Sequence, residues 1–299
     1  MGRSFVLGAG GFLGHRLAST LAGQGENPVL AGLRTPLMLE GPADQIVTGH
    51  LTSFEGLDPY AGEGDIYYYL IASMTPSNSS HEPSNFISGN LELFIRFLEW
   101  AEQRPGARVV YASSGGTVYG NAAIIPTPET EPMRPISFYG LVKSTCERYL
   151  NLFSEQGRIE SSIVRIANPF GAGQKLNRGQ GLIPALVGRI REGDPVDIIG
   201  EGRAVRDYIH VDDVVRAMLL AGAHPSMAGQ TVNVATGYGA SVMEVLELVQ
   251  EVLGLEAKLN YHPHRPGDVE ISVLDPSRLK ALTGWSPEYD LESGLRACL

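Results

Sequence analysis

Residues 8–14 read GAGGFLG, and they join the apolar run SFVL at positions 4–7 to a helical pattern. Leu13, Leu17 and Leu21 follow at helical spacing, which places their side chains on one face of a helix. The glycines leave the connection between strand and helix almost free of side chains. This N-terminal segment therefore predicts a strand, a glycine turn and a helix, which together open a βα unit.

The three glycines at positions 8, 11 and 14 each have a use in such a turn. Without side chains, Gly8, Gly11 and Gly14 permit a tight turn, the close approach of a pyrophosphate and close packing of the helix. Phe12 and Leu13 stand at the start of the helix, where backbone amides are donors for an anion. The turn therefore predicts a dinucleotide-binding site made of these residues.

Short β-rich runs alternate with helical patterns along the first half of the chain. This alternation is typical of the α/β class and predicts a Rossmann-type doubly wound parallel sheet. After about residue 168 the pattern is less regular. We expect a dinucleotide-binding domain over 1–167 and a smaller, interleaved α/β substrate domain over 168–299, with some segments returning to the first. The predicted strands after the first are 28–33, 45–47, 65–71, 108–112 and 162–166, and predicted helices are 90–103 and 139–156.

Composition and charge exclude several classes of partner. The 299 residues include 33 acidic and 23 basic side chains, which give a net charge of −10 and argue against nucleic-acid or membrane binding. Cys146 and Cys298 have neither the spacing of a metal site nor that of a disulfide framework, and no metal is expected. The apolar N-terminal stretch is too short and too rich in glycine for a signal peptide, so we expect a cytoplasmic protein.

The residues at the end of the second predicted strand are expected to determine whether the protein binds NAD or NADP. In NAD-binding proteins an acidic residue at this point receives the 2′-hydroxyl of the ribose. The stretch VLAGLRT at 29–35 contains no acid, and Arg34 is suited to a 2′-phosphate. The sequence therefore favours NADP slightly and leaves NAD, bound through other contacts, as the alternative.

Tyr139 and Lys143 stand four residues apart in FYGLVK, so on a helix both side chains lie on one face. An ammonium beside a phenol favours the phenolate, which lets a tyrosine with an ordinary pKa of about 10 exchange protons nearer neutrality. Lys143 could also reach the nicotinamide ribose. Combined with the glycine turn and with SSGGTVYG at 113–120, the pair predicts an active site.

These motifs resemble the extended short-chain dehydrogenase/reductase family, and specifically its nucleotide-sugar epimerases, dehydratases and ketoreductases. The resemblance implies hydride transfer at a sugar carbon, with Tyr139 exchanging the hydroxyl proton. It also implies cofactor contacts at Ala72, in the IAS run, and at Asn90. Family-like landmarks cover nearly the whole chain: GAGGFLG, IAS, SGNLELF, SSGGTVYG, YGLVK, RIANPFG, GEGRAVRDYIHVDD, RPGD and LDPSRLKALTGWSP.

The same resemblance implies a nucleoside-diphosphate sugar as substrate. It gives Asn168 a contact to the bound nucleotide sugar, Arg206 and Arg265 the diphosphate, and Asp268 the nucleotide ribose. Guanidinium groups bind phosphate oxygens with two parallel hydrogen bonds, and an acidic protein needs such local cations.

A homodimer is a further implication of the resemblance, with the helices at 90–103 and 139–156 pairing into a four-helix bundle. The apolar residues of these helices could equally pack on their own sheet. They are Leu91, Phe94, Ile95 and Leu98 on the first helix and Leu141, Leu150 and Phe153 on the second.

The chain departs from the family pattern just before VYG. Where epimerases and dehydratases carry the Ser or Thr that shares the sugar hydroxyl with the Tyr, this chain has Gly115. Ser114 or Thr117 has to supply that hydroxyl, with Ser114 the nearer in sequence. Gly116 and Thr117 also replace the Asp and Glu with which 4,6-dehydratases eliminate water, so dehydration is not expected.

Three functions remain open, and the overall resemblance ranks a nucleotide-sugar 4-epimerase first. An NADPH-dependent 4-ketoreductase of a 4-keto-6-deoxy nucleotide sugar comes second, because Arg34 and Gly115 favour a reductase. A catalytically inactive cofactor-binding protein is third, since a fold does not by itself imply activity. The presence of both Tyr139 and Lys143 argues against this last interpretation.

Overall fold

The computed structural model describes residues 2–47, 49, 51–72, 87–174, 176, 181–263 and 269–299. The chain divides into two compact units, each assembled from three segments. Unit 1 comprises Met1–Ser113, Ser137–Arg165 and Val215–Val232, and unit 2 comprises Ser114–Ile136, Ile166–Val214 and Asn233–Leu299. The assignment of domains to 1–167 and 168–299 stays a prediction.

The central sheet has seven parallel strands, in the order β10-β6-β5-β4-β1-β2-β3. The order of the strands reverses between β1 and β4, and in open α/β sheets ligands bind beyond the carboxyl ends of the strands at such a point. The predicted Rossmann-type doubly wound parallel sheet is confirmed. Its strands are β1 Ser4–Leu7, β2 Val29–Ala31, β3 Asp44–Gln45, β4 Ile66–Tyr69, β5 Arg108–Ser114, β6 Glu160–Ile166 and β10 Gln230–Val234.

The helices of the described ranges follow the predicted alternation, and the predicted strands and helices of the first 166 residues all end within three residues of the observed bounds. A π-helical segment, Ile87–Glu92, leads into α2. None of the described helices is long and apolar enough to cross a membrane. They are α1 Phe12–Gly23, α2 Leu93–Ala101, α3 Gly115–Val118, α4 Phe138–Glu155, α5 Leu182–Glu192, α6 Val211–Ala223, α7 Val242–Leu253, α8 Ser277–Thr283 and α9 Leu291–Cys298.

An aromatic core lies between β4 and α2. Successive side chains of a strand point to opposite faces, so Tyr67 and Tyr69 face α2 while Tyr68 faces the other side of the sheet. The rings of Tyr69 and Phe94 lie 4.8 Å apart, and those of Tyr67 and Phe97 lie 5.9 Å apart. Each fully buried ring of this size contributes about 2–3 kcal/mol to the fold.

The glycine turn sets how closely α1 lies against the end of β1. Gly8 has a φ of +95°, in the left-handed region that glycine adopts without a steric penalty. A Cβ atom at Gly14 would lie 2.2 Å from the Gly8 oxygen and 2.8 Å from the Ala9 Cα. No side chain therefore fits at Gly14, and the helix packs on the strand as closely as the sequence predicted.

Unit 2 has two small sheets and its own core. β9 pairs with β7 and β13 in parallel and with β11 in antiparallel, and β8 pairs with β12 in parallel. Phe170 and Tyr208 belong to a hydrophobic core that also includes apolar residues of α5, α7 and α9. The strands of this unit are β7 Asn168–Phe170, β8 Val196–Ile199, β9 Val205–His210, β11 Gly239–Ser241, β12 Leu259–His262 and β13 Ile271–Ser272.

Replacing Gly14 with alanine is expected to destabilise the fold strongly. The added methyl group would overlap the Gly8 carbonyl, and we expect the free energy of unfolding to fall by about 3 kcal/mol or more. Gly23 lies in the same helix and has nothing within 4 Å of an added Cβ, so Gly23→Ala is a matched control. The control is expected to gain up to about 0.5–1 kcal/mol. Chemical denaturation measures both changes, and equal midpoints for the two variants would contradict the close packing.

Candidate functional site

The carboxyl end of β1 and the start of α1 form a cradle for an anion. Gly11 precedes α1 without a side-chain cap, and its own amide donates to the Gly8 oxygen at 3.0 Å. The amides of Phe12 and Leu13 lie in the first turn of α1, where no carbonyl of the helix accepts from them. A pyrophosphate fits this arrangement, because the glycines leave space and the helix N-terminus supplies donors.

The end of β2 carries the residues predicted to distinguish NAD from NADP. Gly32 follows the strand with a φ of +77°, and no acidic side chain stands at Leu33 or Arg34. Arg34 is exposed, and no ion pair holds it within the part of the chain that the structure describes. Its guanidinium is therefore available to an anionic group near the ribose.

Tyr139 and Lys143 lie on one face of α4. The helix begins after Ser137, whose hydroxyl accepts a hydrogen bond from the Gly140 amide at 3.1 Å, so Tyr139 stands in the first turn. The Lys143 Nζ donates to the Ala112 oxygen of β5 at 2.7 Å and lies 5.8 Å from the centre of the Tyr139 ring. The structure thus brings the predicted pair together beside the carboxyl end of β5.

Burial governs the electrostatics of this pair. It raises the pKa of Tyr139 to about 12 and lowers the pKa of Lys143 to about 8, because each charged form loses contact with water. The expected effect of the Lys143 ammonium, a Tyr139 pKa nearer neutrality, is not seen: burial is the only cause of the shift, and it raises the pKa. Lys143 is mostly protonated at neutral pH, because its lowered pKa still lies above that value.

A small cavity adjoins the pair. It has a volume of about 10 Å³, roughly that needed for one water molecule. Within the described residues, the buried Tyr69 hydroxyl has no hydrogen-bond partner. An orphaned polar group beside a cavity fits a site that a bound ligand completes. Ala72 and Asn90, both predicted cofactor contacts, lie here with Tyr139 and Lys143; the lining residues are Tyr69, Ile71, Ala72, Asn90, Tyr111, Tyr139, Val142, Lys143 and Cys146.

Tyr69, Tyr111 and Cys146 were missed as site residues by sequence reasoning. Tyr69 and Tyr111 are direct neighbours on β4 and β5, and the Lys143 Nζ lies 4.9 Å from the centre of the Tyr111 ring. Side chains alternate between the two faces along a strand, so both tyrosines can be placed on one face of the sheet only when the register between β4 and β5 is known. Register is a tertiary property, so the sequence could predict them only as core residues.

Ser114 and Thr117 belong to unit 2 and flank the start of α3. The Thr117 hydroxyl donates to the Ser114 oxygen at 3.4 Å, whereas the Ser114 hydroxyl makes no hydrogen bond to any described residue. A Cβ atom added at Gly116 would lie 3.8 Å from the Ser272 Oγ and 3.9 Å from the Asn168 side-chain amide. Ser114 is therefore the freer of the two candidate hydroxyls, and Gly116 leaves room beside Asn168.

A cleft of about 240 Å³ in unit 2 contains Asn168 and Arg206. The Asn168 side-chain amide donates to the backbone carbonyl oxygen of Asp207 at 3.0 Å, which fixes the orientation of that amide. The Arg206 guanidinium donates to the backbone carbonyl oxygen of Val205 at 2.8 Å. The other lining residues are mainly apolar: Pro169, Phe170, Gly181, Leu182, Ile183, Pro184, Ala204, Tyr208 and Val242. Predominantly apolar walls with a few polar groups are typical of small-molecule sites. Arg265 and Asp268 lie outside the described residues.

Comparison with known proteins identifies the family. The family model described as "NAD dependent epimerase/dehydratase family" matches residues 4–235. The UDP-glucose 4-epimerase of Mycolicibacterium smegmatis is 30% identical over 309 residues, covering 98% of this chain and 96% of that protein. The dTDP-4-dehydro-6-deoxyglucose reductase of Escherichia coli is 28% identical over 227 residues, covering 76% of this chain and 71% of that protein.

A solved structure agrees with the sequence comparison. The crystal structure of UDP-glucose 4-epimerase with UDP-glucose from Thermotoga maritima has a TM-score of 0.90 and 30% identity, and covers 99% of this chain and 96% of that chain. The predicted resemblance is confirmed. With its glycine turn, its parallel sheet and these relatives, the chain belongs to the NAD dependent epimerase/dehydratase family.

Proposed function

We propose that the protein is a nucleotide-sugar 4-epimerase that uses NADP or NAD as its hydride carrier. The observation that carries the proposal is the geometry of Tyr139 and Lys143, which share one face of α4, with the Lys143 ammonium held 2.7 Å from the Ala112 carbonyl. The similarity to UDP-glucose 4-epimerases over almost the full chain supports this reaction.

The chain's own part in the chemistry is to move a proton and to hold the sugar. Tyr139 Oη accepts the proton of the sugar hydroxyl at the reacting carbon and returns it when the new hydroxyl forms. Lys143 stabilises the phenolate, and Ser114 Oγ contributes the second hydrogen bond to that hydroxyl. A bound nicotinamide would supply the hydride acceptor, and the positive charge of its oxidised form would favour the Tyr139 phenolate further. Gly8, Gly11, Phe12, Leu13 and Gly14 would hold its pyrophosphate, and Ala72 and Asn90 would line its site.

The substrate of the proposed reaction is a nucleoside-diphosphate sugar bound by unit 2. Arg206 would contact the diphosphate, and Asn168 the nucleotide sugar, because both line the cleft of that unit. From the sequence pattern we also assign Arg265 to the diphosphate and Asp268 to the ribose of the nucleotide. Thr117 is the alternative to Ser114 at the sugar. Gly116 and Thr117 supply no carboxylate, so water elimination is not proposed.

A 4-ketoreductase is the second candidate. Arg34 favours NADP, which suits net reduction, and the Escherichia coli relative is a reductase of a 4-dehydro sugar nucleotide. A protein that binds its cofactor without catalysis is the third candidate. Tyr139 and Lys143 count against it, because burying polar groups costs stability and an inactive protein would gain nothing from that cost.

The fate of the dinucleotide distinguishes the first two candidates. An epimerase is expected to interconvert UDP-glucose or UDP-N-acetylglucosamine with its 4-epimer without net consumption of dinucleotide. A ketoreductase is expected to consume NADPH stoichiometrically with a 4-keto-6-deoxy sugar nucleotide. NMR of the sugar products and the absorbance of NADPH measure the two outcomes. Net NADPH consumption without epimerisation would reject the epimerase.

Tyr139→Phe is expected to lower kcat by about 10²–10⁴-fold, because no other group would then carry the proton. Bound dinucleotide is expected to remain, since the glycine turn is unchanged. Tyr68→Phe removes a buried hydroxyl from the opposite face of β4 and is expected to keep turnover. If Tyr139→Phe turns over as fast as the wild type, the proposed mechanism is wrong.

Arg34→Ala is expected to weaken NADP binding by about 10-fold or more and to leave NAD binding unchanged, because only NADP carries the 2′-phosphate. Titration of dinucleotide fluorescence measures both affinities. Arg203 is an exposed arginine of unit 2, so Arg203→Ala controls for a general loss of positive charge. Equal changes in the two affinities would contradict a role for Arg34 in selecting NADP.

We further propose that the protein forms a homodimer through the outer face of α4. Phe138, Leu141, Tyr149 and Leu152 on this helix are each more than a third exposed, although they are large and apolar. Leu150 and Phe153, which were also considered for the dimer face, are buried in their own core, as are Phe94 and Leu98 of α2. Of the three residues predicted for the dimer face on α4, only Leu141 therefore belongs to the proposed face.

Leu141→Glu is expected to convert the dimer to a monomer, because the charge would be buried within the apolar face. Light scattering after gel filtration should give twice the chain mass of 32.2 kDa for the wild type and that mass for the variant. Leu255→Glu changes a similarly exposed leucine in unit 2 and should leave the mass unchanged. A monomeric wild type would reject the proposed dimer.

A further inference from the structure

Glu147 is a fully buried carboxylate that the chemistry proposed above does not use. It lies on α4, and two neighbouring strands of the sheet bind it. The Ser113 hydroxyl at the end of β5 donates to one carboxylate oxygen. Arg165 of β6 donates from Nε to both oxygens, at 3.1 and 3.0 Å, and from a terminal nitrogen at 2.7 Å. The carboxylate therefore joins one helix to two strands.

The same stretch of β5 also holds Lys143. Ala112 accepts from the Lys143 ammonium at 2.7 Å, and the next residue, Ser113, donates to Glu147. Lys143 and Glu147 are one helical turn apart, and Tyr139 is one turn earlier on the same face. Two consecutive residues of β5 thus form hydrogen bonds with side chains from two consecutive turns of α4. A rotation of α4, or a slide by one residue, would break both contacts.

We propose that Ser113, Glu147 and Arg165 are positioning residues that fix α4 on β5 and so aim Tyr139 and Lys143 at the reacting atoms. Their role rests on the function proposed above, because Tyr139 and Lys143 are the groups that they aim. None of the three touches the cavity beside the pair, so they act through the helix.

A buried ion pair of this kind is a poor source of stability. Removing two charges from water costs several kcal/mol per ion, and well-packed apolar residues in place of such a pair are often as stable or more so. A pair at the base of the catalytic helix is better explained by the orientation it imposes. Its hydrogen bonds have fixed directions, whereas apolar contacts would tolerate a small rotation of α4.

The Glu147 carboxylate also acts on the charge of Lys143. Burial lowers the pKa of Lys143, and Cys146 and Glu147 oppose that shift. The other titratable groups around the ammonium are Tyr139 on α4, Tyr111 on β5 and Tyr69 on β4, with Arg165 on β6 paired to Glu147. Glu147 is therefore expected to help keep Lys143 protonated while it holds the helix.

The ionisation of Lys143 can be measured directly, because the chain has only four lysines, Lys143, Lys175, Lys258 and Lys280. Protein labelled with ¹³C-lysine gives four Cε signals, and Lys143→Met assigns the one of interest. In Glu147→Gln we expect the midpoint of the Lys143 titration to fall by about one pH unit, the lower end of the effect of a neighbouring opposite charge. This measurement needs no sugar substrate.

Asp65→Asn is the matched control. Asp65 is also a buried carboxylate of unit 1, but it lies just before β4, at the opposite end of the sheet, and accepts from the amides of Arg3 and Gly62. The control is expected to lose stability and to leave the Lys143 titration unchanged. If Asp65→Asn shifts Lys143 as far as Glu147→Gln does, the proposal is overturned.

Kinetics provide the second readout. Glu147→Gln is expected to lower kcat by about 10²-fold through misplacement of Tyr139, with KM for the nucleotide sugar within about twofold of the wild type. If Glu147→Gln does not fold, Glu147→Gln with Arg165→Met removes both buried charges and carries the same test. An unchanged Lys143 titration or an unchanged kcat overturns the proposal. If the wild type turns over no nucleotide sugar, the proposed function fails and the Lys143 titration alone decides this inference.

Discussion

The contact between the Gly8 carbonyl and the backbone at Gly14 is the constraint on which unit 1 depends. A Cβ atom at Gly14 would lie 2.2 Å from that oxygen, so α1 can pack against the end of β1 only because this position has no side chain. That packing brings the start of the helix to the point where the order of the sheet reverses between β1 and β4. The amides of the helix then face the place where the fold binds a ligand.

Desolvation shifts the pKa values of Tyr139 and Lys143, the pair proposed to be catalytic. Burial moves the pKa of Lys143 down to about 8, against the opposing effects of Cys146 and Glu147, and moves that of Tyr139 up to about 12, so each side chain is biased toward its neutral form. Cys146 and Glu147 limit the fall in the Lys143 pKa, and the Ala112 carbonyl accepts a hydrogen bond from the ammonium at 2.7 Å. The same low dielectric makes any charge brought to the site act strongly on Tyr139. The chemistry of the site therefore depends on a bound group more than on the pair by itself.

The two glycines that follow β5, Gly115 and Gly116, limit the reactions that the neighbouring residues of unit 2 can support. Gly115 removes the hydroxyl that the family places before VYG, and the structure leaves Ser114 with the freer of the two neighbouring hydroxyls. At Gly116, where the resemblance places a carboxylate of the dehydratases, an added Cβ atom would make ordinary contacts with Asn168 and Ser272. Redox chemistry at a hydroxyl needs one proton carrier, whereas elimination of water needs an additional acid and base. Tyr139 is available for the redox reaction proposed above, whereas Gly116 and Thr117 supply no carboxylate for elimination.

The sequence by itself determined the class of fold, the approximate bounds of the strands and helices predicted within the first 166 residues, and the pairing of Tyr139 with Lys143. These are local properties: the glycines at 8, 11 and 14 define a turn, and a spacing of four on a helix defines a face. Only the tertiary structure decided which residues surround that pair. Tyr69, Tyr111, Ser113, Glu147 and Arg165 come from three strands and one helix, and the register between strands brings them together. The rise in the Tyr139 pKa has the same origin, since burial depends on packing that distant segments supply.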